Sequence, residues 1–266
     1  MNIYFLTYGD DAYHYSKKHL TYLAKESNYF HKIISLGPKD LDSDFKNTFK
    51  DTLSKSKGGG YWIWKHEIIS SLLNKINLND IILYCDAGSS FNNLPEARST
   101  FEHYLEIIGD KKNTFLRFET EKQFLEKQYT SKQLFEYFNL NLNSKIANST
   151  QLQAGVLFVK KNEESHDFFN EYRNTLDSDV KLLTDFYNKN QIKEFVENRH
   201  DQSIFSILGK IYNSYTIENE TEFKNRIDQQ YKYPILTVRA ANHGIKDRIK
   251  LNLLKPIYGK KTNFFK

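Results

Sequence analysis

The chain has 266 residues, a formal net charge of +5, 39% hydrophobic and 15% aromatic residues, enough for one large α/β domain or two small ones. A single cysteine, Cys85, excludes an internal disulfide and a cysteine-rich zinc site and fits a reducing cytoplasm. No run approaches the roughly 18 apolar residues of a membrane span.

The opening "MNIYFLTYGDDAY" lacks a basic segment followed by a long apolar one, so it reads as a first strand rather than a secretory leader. Residues 2–8 form that strand, 11–27 a helix and "FHKIISL" (30–36) a second strand. "GGGYWIWK" (58–65) reads as a glycine loop, a flexible lip over rings, running into a helix that continues to about residue 76. "DIILYC" (80–85) is a third strand, 95–108 a helix and "TFLRF" (114–118) a fourth strand. Two short amphipathic segments follow at 121–127 and 131–139, then the strand "AGVLFVK" (154–160). Helices are expected at 162–176, 181–189 and 201–212, the last with apolar residues at 204, 205, 208, 211 and 212, which is helical spacing. "SYTIEN" and "PILTVRA" are late strands. Strands alternating with helices imply a mostly parallel, Rossmann-like α/β sheet flanked by helices. Residues 1–250 read as one domain and 251–266 as a basic aromatic tail.

Ligands of such sheets sit at the carboxyl ends of strands. Asp86 ends a strand that is apolar on both faces, and a carboxylate there suits a hard cation that keeps phosphate oxygens as its other ligands. Ala87 and Gly88 leave room for a phosphate, and Ser89 and Ser90 offer hydroxyls. A strand-end Asp capping a turn is the plainer reading. Lys65 can meet a pyrophosphate as a point charge, with Trp64 beside it; the plainer reading is a buried Trp cluster anchoring a loop. Gln153, Ala154 and Gly155 start a strand, where a glycine permits close approach and an amide can serve sugar hydroxyls. His200, Asp201 and Gln202 precede a helix, and Asp201 is equally an ordinary N-cap. His243, Lys246 and Arg248 follow the last strand. A neutral His is a common metal ligand, and Lys and Arg can neutralise a diphosphate.

The order of these stretches resembles GT-A-fold glycosyltransferases, especially bacterial enzymes of capsule, O-antigen or lipooligosaccharide assembly. "GGGYWIWK" followed by "DIILYCDAGSS" is similar to the "GYGYWxWKP…LYLDAG" signature of a branch of them. "QAG", "DQS" and "NHGIK" resemble, in order, the Asn-Ala-Gly, Asp-Gln and His/Lys motifs of the retaining family that includes glycogenin. The resemblance spans roughly residues 2–250 and implies a GT-A-like single domain. It also implies a nucleotide-diphosphate sugar donor, UDP-linked by preference, held by Thr7, Tyr8, Asp10, Asp11, Trp64, Lys65, Asp86, Ala87, Gly88, Gln153, Ala154, Gly155, Lys246 and Arg248.

Asp86 and His243 would then hold Mn²⁺ or Mg²⁺. Asp201 and Gln202 would act at the anomeric carbon, Gln202 beside it in a retaining reaction and Asp201 as base in an inverting one. The acceptor would be a growing, lipid-linked glycan reached from the cytoplasm, with the tail docking on the inner membrane. The sequence departs from the Asp-x-Asp pattern at Gly88 and from Asn-Ala-Gly at Gln153. Two alternatives stand beside this reading: a nucleotidyl- or phosphotransferase, and a catalytically inactive nucleotide- or carbohydrate-binding module. No nucleic-acid-binding motif accompanies the basic residues.

Overall fold

The computed structural model describes residues 1–222, 227–237 and 239. Among them are eight strands: β1 (Ile3–Tyr8), β2 (Lys32–Leu36), β3 (Ile81–Cys85), β4 (Ser90–Phe91), β5 (Phe115–Glu119), β6 (Leu152–Lys160), β7 (Tyr215–Ile217) and β8 (Ile235–Leu236). Six form the central sheet in the order β2–β1–β3–β6–β5–β7. β6 pairs antiparallel with both β3 and β5, while the other pairings are parallel. The expected mostly parallel sheet is therefore present, with one reversed strand near its middle.

Alternation along the strands divides the core. Leu6, Ile82, Tyr84 and Leu157 face one side, against Trp64–Leu73, Glu163–Ser178 and Asp201–Ile211. Phe5, Leu83, Cys85 and Phe158 face the other, with His14–Glu26 and Pro95–Gly109. β3 is buried along its whole length, as a strand covered on both faces must be.

Two expectations need correction. The helix expected over 181–189 is a single 3-10 turn, Val180–Leu183. Side chains take the carbonyls that a longer helix would use: Asn198 Nδ2 donates to Leu182 O and Thr184 O, and His200 Nδ1 meets Leu183 O. "PILTVRA" contributes only Ile235–Leu236, which pairs with β4 in a separate two-stranded sheet.

The glycine run is also different from a loose lip. Gly58, Gly59, Gly60, Tyr61 and Trp62 all have positive φ, at 59°, 57°, 97°, 56° and 59°. Tyr61 N donates to Lys57 O and Trp62 N to Gly58 O. This is one left-handed turn, a conformation that costs an L-residue about 1–2 kcal/mol and glycine almost nothing. At Gly60 a Cβ would lie 2.8 Å from Leu53 Cα, whereas at Gly59 its nearest neighbours stand at 3.7 and 3.9 Å. Gly59→Ala is expected to cost only the left-handed penalty of about 1–2 kcal/mol. Gly60→Ala should lose a further ~1–3 kcal/mol to overpacking. Urea midpoints will rank the two; equal losses would contradict the contact at Leu53.

Candidate active site

The reversal of β6 brings its start beside the carboxyl ends of β1, β3 and β5. Cys85 pairs with Val156, and Asp86 N donates to Gly155 O at 2.8 Å. At Gly155 a Cβ would stand 3.1 Å from Asp86 Oδ2, so the glycine makes room for that carboxylate. Lys17 ties the ends of β1 and β2 by donating to Gly9 O (2.9 Å) and Leu36 O (2.7 Å). These ends open into a cleft of about 1100 Å³.

Lys65 stands at its floor. Its ammonium is surrounded by Asp201 Oδ2 at 2.6 Å, Ala154 O at 3.0 Å and Asp86 Oδ1 at 3.2 Å. The side chain of Lys65 is 2% exposed, that of Asp201 6% and that of Asp86 36%. Burial works against the Lys65 charge, but Asp201 and Asp86 outweigh it and hold its pKa above the usual lysine range. Burial pushes the Asp201 carboxyl up to about 6, against the pull of Lys65. Lys65 Nζ thus donates a hydrogen bond to Ala154 O and is held by ion pairing between the two carboxylates. It joins the two carboxylates, which the sequence reading had kept apart, and is not presented to a ligand as a free point charge.

Around this centre, Tyr84 donates its hydroxyl to Asp86 Oδ1 at 2.6 Å. Ala87, Gly88 and Ser89 continue the wall, and the buried Ser89 hydroxyl has no hydrogen-bond partner among the described residues. Tyr8 stacks on Trp64 at 3.9 Å between centroids, and Trp64 Nε1 donates to Gly58 O, fastening the left-handed turn to the cleft. Trp62 lies nearly parallel to the His200 ring at 5.6 Å. His200 has φ 57° and ψ −124°, a conformation seldom populated by non-glycine residues and held only where the surroundings over-determine it. Burial lowers its pKa, which favours the neutral ring.

The structure therefore brings Tyr8, Asp10, Trp64, Lys65, Asp86 and Ala87 to one cleft, together with Gly88, Ala154, Gly155, Asp201 and Gln202. Gln153 is also in the wall, but its amide is committed within the protein. Nε2 donates to Glu119 O and Asn219 Oδ1, and Oε1 accepts from Thr221. Thr7 is fully buried in β1 and Asp11 is exposed in the turn Asp11–Tyr13; neither is part of the cleft wall. His243, Lys246, Arg248 and the tail lie outside the described residues. The sequence reading missed Tyr84, the Lys65–Asp201 pair and a buried carboxylate, Glu126, behind Gln202.

The described residues do not by themselves fit a divalent cation. Among them no three His, Cys, Asp or Glu side chains converge. Asp86 Oδ1 already faces Tyr84 and Lys65, and Asp201 Oδ2 faces the same ammonium.

No family model matches the chain, and no curated protein matches it. Solved structures do. A glycosyltransferase involved in glycosylation of the major capsid of PBCV-1 is similar at TM-score 0.52 and 11% identity, over 95% of this chain and 98% of that one. Mouse xyloside xylosyltransferase 1 follows at 0.49 and 12%, over 89% and 97%. The galactosyltransferase LgtC, in complex with donor and acceptor sugar analogues, gives 0.45 and 15%, over 97% and 85%. The first of these likenesses is one of fold: a GT-A-like α/β domain, with a six-stranded sheet and helices on both faces.

Proposed function

We propose that the chain is a glycosyltransferase that moves a sugar from a nucleotide-diphosphate sugar to a hydroxyl of a growing surface glycan. The observation that carries this reading is the joining of Asp86 and Asp201 through Lys65 at the strand-end rim of a cleft large enough for such a donor. The fold shared with the PBCV-1 glycosyltransferase supports it.

In this reading the nucleotide lies over the ends of β1 and β3, near Tyr8 and Asp10. Asp86 presents Oδ2 to the donor, and Ser89 offers its spare hydroxyl. Lys46, Lys50 and Lys57 on the wall add positive potential for the diphosphate. Asp201 and Gln202 face the sugar. An Asp201 carboxyl with a pKa near 6 is ionised above that pH and suited to accept a proton from an attacking hydroxyl; this is its role if the reaction inverts. If it retains, Gln202 stands by the anomeric carbon. Capsule, O-antigen and lipooligosaccharide glycans are the acceptors implied by the sequence resemblance. Among the described residues no helix is long and apolar enough to cross a membrane; in this reading a lipid-linked acceptor is met at the inner membrane face.

The thermal midpoint of the protein against a panel of nucleotides and nucleotide sugars, each with and without Mn²⁺ or Mg²⁺, tests the donor site. A ligand of the folded state raises the midpoint by mass action. One nucleoside diphosphate and its sugar are expected to stand out. No shift with any member of the panel would overturn the reading, and a shift that ignores metal would assign the diphosphate to the protein's own cations.

A further inference from the structure

We propose that Gln151 is a positioning residue that fixes which end of the Gln202 carboxamide faces the cleft. The two ends of an amide are told apart by their partners, and here the partners form a one-way chain. It starts at Glu126, which is fully buried. Its carboxylate is paired with Lys210 at 2.6 Å and also accepts from Ser206 and Thr130. A carboxylate in such a pair only accepts, so Gln151 must turn its NH₂ toward it. Gln151 Nε2 does so, 3.1 Å from Glu126 Oε1, with Tyr129 O at 3.2 Å and Thr130 Oγ1 at 3.3 Å. Every neighbour on that side is an acceptor, since the Thr130 hydroxyl spends its proton on Glu126.

Gln151 Oε1 is thereby left pointing the other way, where it accepts from Gln202 Nε2 at 2.7 Å. The remaining amide atom of Gln202 is Oε1, and Gln202 lines the cleft. The buried ion pair thus dictates, through two amides in series, that Gln202 commits one N–H to Gln151, keeps the other, and leaves Oε1 as its acceptor for a ligand. A hydroxyl satisfies that atom; a phosphate or carboxylate oxygen is repelled. The orientation stands on its own contacts. The hydroxyl-bearing ligand, a sugar ring, rests on the proposed glycosyl transfer.

Side-chain amide exchange measures the chain directly and needs no substrate. Protein labelled with ¹⁵N-glutamine gives a pair of NH₂ signals for Gln202, assigned by their loss in Gln202→Met. In the wild type one proton of the pair is expected to exchange about tenfold more slowly than in free glutamine, the effect of one net hydrogen bond. In Gln151→Met it should return to the free rate with the backbone spectrum retained. A purely packing role for Gln151 would shift the thermal midpoint and leave the Gln202 signals protected. An unprotected Gln202 amide in the wild type, or protection that survives Gln151→Met, would overturn the proposal. Neither result bears on glycosyl transfer itself, whose failure would show as absence of nucleotide-sugar turnover instead.

Discussion

Asp86→Asn is expected to lower nucleotide-sugar turnover by about 10²–10³-fold, the usual loss when one preorganised charged group at a reacting centre is removed, with little effect on folding. Asn keeps an oxygen for the Tyr84 hydroxyl and the Lys65 ammonium, the two contacts that Asp86 Oδ1 makes. What it removes is the charge at Oδ2, the end left for a ligand. Because the Asp86 side chain is more than a third exposed, its own pairing contributes little to stability. Steady-state rates beside the thermal midpoint separate the two effects. Turnover within a few-fold of wild type would remove Asp86 from the donor site.

Lys65→Met is expected to have the larger effect on the fold, about 3–5 kcal/mol, the cost of leaving a buried charge without its partner. Asp201 is the group stranded. Its carboxyl is already raised to about 6, by burial first, and Lys65 is the largest influence holding it down. Without Lys65 its proton affinity rises further. A group whose folded pKa is raised adds stability below its unfolded pKa and loses that contribution as pH rises through the folded one. The deficit of Lys65→Met should therefore be larger at pH 8 than at pH 5: on acidification Asp201 of the variant takes up its proton first, above pH 6, and no longer needs a counter-charge, and by pH 5 the carboxyl is protonated in both folded proteins. Urea unfolding of both proteins at pH 5 and pH 8 checks this. A deficit that is the same at both would mean that Lys65 contributes packing rather than charge.

Much of the frame was legible because local chemistry decided it. The apolar run Ile81–Cys85 could only be a strand covered on both faces, and Asp86 after it had to stand at a rim. The position of the glycine turn was legible too. Its handedness was not, since that depends on Leu53 and Trp62 lying where a Cβ would fall. The amides were the hardest to read. Gln153 adjoined the Ala-Gly pair and drew attention, yet Asn219 and Thr221, nearly seventy positions away, occupy it. Glu126 lies in the short amphipathic segment 121–127, where nothing local marks it as buried, and its counter-charge is Lys210, 84 positions later. Lys65 looked like a ligand for phosphate because the Asp201 that neutralises it is far along the chain. Pairings of this range are set by topology, here by the reversal of β6, which composition and periodicity do not encode.

The most direct test of glycosyl transfer is the identity of the nucleotide released when the purified protein is incubated with a panel of nucleotide-diphosphate sugars, with and without Mn²⁺ or Mg²⁺. Glycosyl transfer to water or to an added acceptor breaks the bond at the anomeric carbon and releases the nucleoside diphosphate. The expected result is that product from one donor, and its loss in Asp86→Asn. Release of the nucleoside monophosphate would mean cleavage within the diphosphate and a nucleotidyl- or phosphotransferase, and binding with no product from any donor would mean a module that holds its ligand without acting on it.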